Sequence, residues 1–351
     1  MNRLLTSAIV ALLAVPSAPA PVAAQVYPER MVIREKARAV TTVAYQRRSR
    51  DDREEQVDRT TRTFKLGANG TLGLFNIAGD IVVTRAGGSD TTVEIVKTAR
   101  GRDVNDAREQ LQLVQVDVTE RSGRADVRAR YPQSEGRNNR RNYNVSVAYT
   151  VSAPAGTRIS IETISGNVKI TDIKGDVTAN SISGNVNVTG AGRASAKSIS
   201  GMVEIVDAQS DGTMESSSVS GDVVLRRVSA RRIDASSVSG NIRLDELQCD
   251  RVSAKTTSGN VSFAGTLARN GRYDLGSFSG DVRLTLASNS GFEVDANSFS
   301  GEIRTDFPIT MRGSVQPDRN GRRKVLSGTH GDGSAILDLT TFSGSIVISK
   351  R

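Results

Sequence analysis

The 351-residue chain has one histidine, His330, one cysteine, Cys249, and no tryptophan. Imidazole-dependent acid–base chemistry therefore rests on one side chain, set in the stretch Ser327-Gly328-Thr329-His330-Gly331-Asp332. Neither a GxSxG elbow nor an SxxK pair supplies it with a serine nucleophile. One His and one Cys also exclude HExxH zincins, Cys/His zinc modules and disulfide scaffolds. Cys249 reads as a packed thiol rather than a nucleophile. No metal set and no cofactor is expected.

Oxygen-bearing side chains offer more. Asn167, Asn185, Asp222, Asn241, Asn260, Asp281 and Glu302 each follow a glycine in the same local pattern. Such a row suggests two chemistries. Calcium needs several oxygens converging on one point, and glycoside hydrolysis needs two carboxylates about 5 to 9 Å apart across a bond. Amides outnumber acids in the row, the GGxGxD calcium repeat is missing, and Asn or Asp beside Gly is an ordinary turn residue. The first six are carried forward as the candidate ligand-facing set.

A second pattern is made of hydroxyls. Two residues before each repeat serine stands Thr163, Ser181, Ser198, Ser218, Ser237, Thr256, Ser277, Ser298 or Thr341. If the residue between the two hydroxyls points inward, both hydroxyls point outward and form parallel ladders suited to a repeating ligand such as a glycan. The competing reading is that they fill a bend and bond local backbone.

What positions these rows is a repeat. Ser-Gly-polar-Val/Ile recurs with glycines at Gly166, Gly184, Gly201, Gly221, Gly240, Gly259, Gly280 and Gly301, and again at Gly344. The spacings to Gly301 are 18, 17, 20, 19, 19, 21 and 21 residues, below the common helical-repeat lengths. Three and five residues after the serine come apolar pairs such as Val168 and Ile170, Val223 and Leu225, or Val261 and Phe263. Six and four residues before it come Ile159 and Ile161, Val177 and Ala179, or Val252 and Ala254. A period of two on each side predicts two half-buried strands per unit.

The residue just before the serine is also mostly apolar (Ile164, Ile182, Ile199, Val219, Val238, Phe278, Phe299, Phe342) but has the opposite parity. Placing it inside predicts a bend or bulge about three residues before the serine. Glycine beside the corner would tolerate positive φ and let coils approach closely. Since one unit cannot bury its apolar face alone, successive coils are expected to stack in parallel, each on the next, as an all-β parallel β-solenoid.

The same register appears early, at Leu72, Leu74, Ile77, Gly79, Asp80, Ile81 and Val83, with Ala78 in the serine slot. Alternating runs at Val93–Val96, Val114–Val118, Ala125–Tyr131 and Val145–Val151 read as strands and Asp103–Leu113 as one short helix. This region is expected to cap the open edge of the stack. The predicted organisation is an export signal over 1–24, a charged linker or partly ordered segment over 25–65, a β-rich cap over 66–158 and the solenoid over 159–351.

Composition fits an exported, packed protein. Lys and Arg number 47 against 38 Asp and Glu, giving +9, and 37% of residues are hydrophobic. Residues 1–24 combine Arg3, an apolar run from Leu4 to Val15 and Val22-Ala23-Ala24, a signal-peptidase motif. The run is too short for a membrane span, and none is expected in the mature chain. Positive charge gathers at Arg121, Arg124, Arg128, Arg130, Arg137, Arg140 and Arg141, and at Arg312, Arg319, Arg322, Arg323 and Lys324. Anionic envelope polysaccharide or lipid headgroups fit such segments, as do solvated strand faces and loops. Export and the lack of aromatic platforms argue against nucleic acid.

The run from Ser146 through Tyr149, Val151 and Pro154 to Gly156, followed by Ile159, Ile161 and Ser165-Gly166-Asn167-Val168, resembles a bacterial family of exported repeat proteins labelled "putative adhesin", a domain of unknown function. The resemblance covers residues 66–351 and implies a β-solenoid, export and adhesion, with no catalytic or ligand residues to transfer. The two basic segments depart from its pattern. Function is therefore expected to be a non-enzymatic adhesin or envelope interaction scaffold, with a glycan or another surface protein as partner. The alternative is a carbohydrate-active β-helix enzyme.

Overall fold

The computed structural model describes residues 53–132, 144–311 and 324–351. The export signal, residues 25–52 of the linker, Arg137, Arg140 and Arg141, and Arg312, Arg319, Arg322 and Arg323 lie outside the described residues.

Each coil gives one strand to each of two sheets. Strands leading to the repeat serine form a 14-stranded sheet, and those following the glycine form a 13-stranded sheet. In the larger sheet Ile161, Ala179, Ala196, Ser216, Ala235, Ala254 and Leu275 pair in parallel register, coil upon coil. In the smaller one Val168, Val186, Val203, Val223, Ile242, Val261 and Val282 do the same. All of these except Ser216 belong to the apolar core. Burying one such Val, Ile or Leu side chain is worth about 1.5–3 kcal/mol. The all-β solenoid expected from the period is the fold.

Two corners close each coil. At the first, the glycines are required by close approach: a Cβ on Gly240 would overlap the carbonyl oxygen of Gly221, and the same holds from coil to coil. At the second, seven residues after the serine, the backbone turns through positive φ at Asp172 (57°), Gly190 (67°), Asp207 (54°), Arg227 (50°) and Glu246 (54°). The next residue packs inward as a further core column of Ile173, Ala191, Ala208, Val228 and Leu247.

The strand does not bend three residues before the serine. Arg158–Ser165 and Arg272–Ser279 run unbroken through that point to the serine, while Ala194–Ser198, Thr213–Ser218, Ser229–Ser237 and Phe292–Ser298 pass it and end two residues before the serine, where the turn to the glycine begins. Inward–outward alternation is therefore kept up to the residue before the serine.

At the N-terminal edge Thr71–Ala78 pairs with Arg158–Ser165, placing Ala78 opposite Ser165. Arg124–Arg130 and Val145–Ala153 pair in parallel with this early coil, and antiparallel strands follow outside them. Gln115–Arg121 pairs with Arg124–Arg130 in the larger sheet, while Val145–Ala153, Thr91–Gly101 and Glu54–Phe64 extend the smaller one. The helix Val104–Leu113 starts at Asp103, whose Oδ1 accepts the N–H groups of Asn105 and Asp106. Glu54–Phe64, whose alternating charges suggested a linker, is instead an edge strand. Its charges pair across the strands, with Lys97 Nζ 2.8 Å from Asp58 and Arg100 Nε 2.9 Å from Glu55. Charged side chains of this kind protect an exposed sheet edge.

The opposite end departs from simple succession. The last strands in sequence, Ala335–Ser343 and Ile346–Lys350, insert between the coil of Arg272–Leu286 and that of Phe292–Thr305. Gly344 thus stacks between Gly280 and Gly301. Lys324–His330 and Thr310–Met311 add antiparallel strands outside Phe292–Ser298 and cover the edge of the larger sheet.

Candidate functional site

Because parity is unbroken, residues six, four and two before the serine face the core, and those five, three and one before it face solvent. The two hydroxyl rows therefore separate. The row expected to point outward is buried from Thr163 to Thr341. Ser198, Ser218, Ser237, Thr256 and Ser277 donate to the carbonyls of Gly184, Gly201, Gly221, Gly240 and Gly259 on the preceding coil, at 2.8–3.0 Å. Thr341 of the inserted coil donates to Gly280 O, and Ser298 of the coil beyond it to Gly344 O, both at 2.9 Å. Only the repeat serines themselves remain exposed.

The apolar residue between the two hydroxyls is outside, not inside. Ile77, Ile164, Ile182, Ile199, Val219, Val238, Phe278, Phe342 and Phe299 form one column on the outer face of the 14-stranded sheet, each 37–57% exposed. Thr257 alone interrupts it, between Val238 and Phe278. At about 4.8 Å per coil the column is roughly 43 Å long. A mostly apolar line of that length on water is the kind of surface that marks an interaction site.

Two grooves run beside this column. One, of ≈590 Å³, follows Ile164, Ile182, Ile199 and Val219 past Phe75, Asn180 and Lys197. The other, of ≈710 Å³, follows Phe278, Phe342 and Phe299 past Lys255, Asp274 and Thr340.

The candidate row after the glycines lies at the first corner, mostly exposed, but its acceptors are engaged from coil to coil. Asn167 Oδ1 accepts the Asn185 N–H at 3.1 Å and Asn185 Oδ1 that of Met202 at 2.9 Å. Asp222 Oδ1 accepts from Asn241, Asn241 from Asn260, Asn260 from Asp281 and Asp281 from Ser345, at 2.8–3.0 Å. This is a ladder that bolts successive corners together. Asp222 and Asp281 are three coils apart, about 14 Å, beyond the separation of a hydrolytic carboxylate pair. Among the described residues no group of three or more His, Cys, Asp or Glu is arranged to hold a metal ion.

The remaining candidates are placed apart. His330 lies in a capping strand rather than a loop, its Nδ1 2.8 Å from Pro308 O, against the rings of Phe292 and Phe307. Cys249 is buried in the core and has no disulfide partner. Burial, helped by Asp250, pushes its thiol up to about 12, far from a reactive thiolate. In the first basic segment Arg124 pairs with Asp126 at 2.9 Å, Arg130 pairs with Asp117, and the Arg128 guanidinium stacks 4.1 Å over Phe75. No helix among the described residues is long and apolar enough to cross a membrane.

The chain is similar to several solved structures. A "putative adhesin" from Parabacteroides distasonis is 11% identical, with a TM-score of 0.46, and the match covers 84% of this chain and 97% of that one. A "Putative lipid binding protein" from the same species is 13% identical with a TM-score of 0.43, again over 84% and 97%. A "putative adhesin" from Bacteroides fragilis is 15% identical with a TM-score of 0.36, over 84% and 97%. No curated protein matches the chain. The family model described as Toastrack DUF4097 matches residues 75–349, from the early coil through every Ser-Gly corner to the inserted last coil, and the chain belongs to that family.

Proposed function

We propose that this protein is an exported, non-enzymatic interaction scaffold that holds an envelope glycan or another surface protein on the outer face of its 14-stranded sheet. The observation that supports this reading is the unbroken outward parity of Ile164, Ile182, Ile199, Val219 and Val238, which keeps large apolar side chains on water in coil after coil. Removing such area from water contributes about 25 cal/mol per Å², and an extended partner gains this along the whole column. Exposed repeat serines on one flank and Glu162, Asn180 and Lys197 on the other supply polar contacts of the kind found at interface rims. Asn167, Asn185, Asp222, Asn241, Asn260 and Asp281 act chiefly as the corner ladder, with their free valences available to the same partner.

The test is binding of the purified chain to isolated cell envelopes and to a glycan array. The triple variant Ile182→Ser/Ile199→Ser/Val219→Ser is expected to lose tenfold or more in affinity with its circular dichroism unchanged. Full retention of binding by this variant refutes the ladder as the binding face. Release of soluble sugar, lost on replacing a surface carboxylate, would favour the carbohydrate-active alternative.

A further inference from the structure

The C-terminal third of the same face differs from the rest. We propose that it is a distinct site for a small organic cation with a planar aromatic body, held in the groove beside Phe278, Phe342 and Phe299.

Three observations build the site. First, the rings are in line: Phe342 stacks on Phe278 at 4.8 Å and 1°, and on Phe299 at 4.7 Å and 5°. Rings stacked on one another keep their faces for each other and turn their edges outward. The uncharged, electron-rich part of a flat aromatic body lying along the column meets those edges with its own face, which is the favourable edge-to-face arrangement, because ring edges are positive and such a ring face negative, and leaves the cationic part to the far side of the groove. Inserting the last coil between the other two creates this row, since Phe342 supplies its middle ring.

Second, the groove has room. Its floor, three residues before the serine, carries Gly276 and Thr340 where other coils place Lys197 or Lys255. The volume of ≈710 Å³ lies within the range of small-molecule sites. Three coils present about 10 Å of ring edges, the length of two or three linked aromatic rings.

Third, carboxylates outnumber Lys255, the one cation lining the groove among the described residues, on its far side. Asp274, Asp338 and Asp295 occupy successive coils in register, parallel to the phenylalanines. Lys255 Nζ reaches Asp274 at 2.7 Å and Asn297 Nδ2 donates to Asp295 Oδ1 at 2.9 Å. Among the described residues no cation lies in ion-pair contact with Asp338. Like charges at about 4.8 Å repel, and a cation beside them relieves that repulsion. An anion meets the opposite field. A neutral ligand gains the ring edges alone.

The experiment uses thioflavin T, a planar benzothiazolium cation, and its uncharged N-demethylated analogue, titrated into the full chain and followed by fluorescence. Saturable binding at one molecule per chain is expected, weakened tenfold or more by Phe342→Ile and three- to tenfold by Asp338→Asn or by a rise in salt from 20 to 300 mM. Isoleucine already stands in this column in three neighbouring solenoid coils, so Phe342→Ile keeps the strand while removing the ring. Ile182→Ser, at the other end of the column, is expected to leave dye binding unchanged while it weakens envelope binding, which separates this proposal from the preceding one. Absence of saturable binding, equal affinity for the uncharged analogue, or equal loss with Ile182→Ser and Phe342→Ile overturns it.

Discussion

The hydroxyl of Ser237 donates to the carbonyl oxygen of Gly221 at 3.0 Å, joining the inner wall of one coil to the corner of the coil beneath it. Ser237 is 6% exposed, and Ser239, two residues on, lies in the solvent. A buried hydrogen bond of this type contributes about 1 kcal/mol net, and deleting the donor leaves a carbonyl short of a partner. Ser237→Ala is expected to lower unfolding free energy by about 1–2 kcal/mol in urea titrations, and Ser239→Ala by less than about 0.5 kcal/mol. A larger effect at Ser239 than at Ser237 would reverse the assignment of the two rows.

Gly240 carries the sharper constraint. Any Cβ there overlaps Gly221 O, and both atoms belong to backbone fixed by the stack. Overpacking against backbone typically costs about 1–3 kcal/mol, and coils communicate only with their neighbours. Gly240→Ala is therefore expected to lower the urea midpoint more than Ser237→Ala does. A control at Gly212, where the nearest atom to a new Cβ is 3.6 Å away, is expected to change it little.

The coil, its two strands and the closely approached glycines were legible in the sequence because a period of two and a fixed Ser-Gly corner are local signals. Orientation near the serine was not. Val238 looks like a core residue and Ser237 like a surface one, and only a carbonyl from the coil beneath explains why the hydroxyl is the buried member. That partner comes from the preceding repeat, so no window of one strand reveals it. Coil order at the C-terminus was hidden for a related reason. Phe278, Phe299 and Phe342 occupy equivalent slots, and nothing in three interchangeable rungs says which lies in the middle. The positive-φ corner was missed because its residues, Asp172, Gly190, Asp207, Arg227 and Glu246, mix acid, base and glycine and no one of these types marks the slot in every coil. Gly190 and Gly265 at the same offset were the available clue.

Glu246 offers a test of that corner. Its φ of 54° places a branched-off Cβ in the left-handed region, which costs roughly 1–2 kcal/mol for a residue other than glycine. Its side chain is more than half exposed and its ionic contact with Arg351, at 3.9 Å, is weak. Glu246→Gly is expected to raise the melting temperature, since relief of the corner exceeds the added freedom of the unfolded chain, by a net ~0.5 kcal/mol. Asp245→Gly, one residue earlier and within the strand Ile242–Asp245, is expected to lower it.

Asp338 makes stability depend on pH in the direction opposite to a salt-bridged carboxylate. Burial raises its pKa, and the facing Asp274 and Asp295 raise it further against the weaker opposing pull of Arg272 and Lys255. The native state thus holds the proton more tightly than the unfolded chain, whose carboxyl titrates near the ordinary 3.8. Stability falls as pH rises from that value through the raised native one. Asp338→Asn is expected to increase stability at pH 7, with the gain fading as pH drops toward the ordinary carboxylate value. Melting curves of both proteins between pH 3 and pH 7 check the sign.

The alkaline limit has a different origin. Burial drives the Cys249 thiol from 9.0, and the Tyr273 and Tyr131 phenols from 10.0, up to about 12, and raises Tyr149 as well. In each case the protonated form is the one that fits the core, so the unfolded chain ionises first and stability falls across the window from about pH 9 to pH 12. Cys249 opens that window because its ordinary value is the lowest of the four. Cys249→Ala is expected to leave the melting temperature nearly flat between pH 8.5 and 9.5, where the parent protein already declines. Tyr131→Phe keeps the partly buried ring, removes the phenol, and is expected to shallow the slope above pH 10. If both variants follow the parent curve, alkaline unfolding is driven by charge elsewhere on the surface and not by these buried groups.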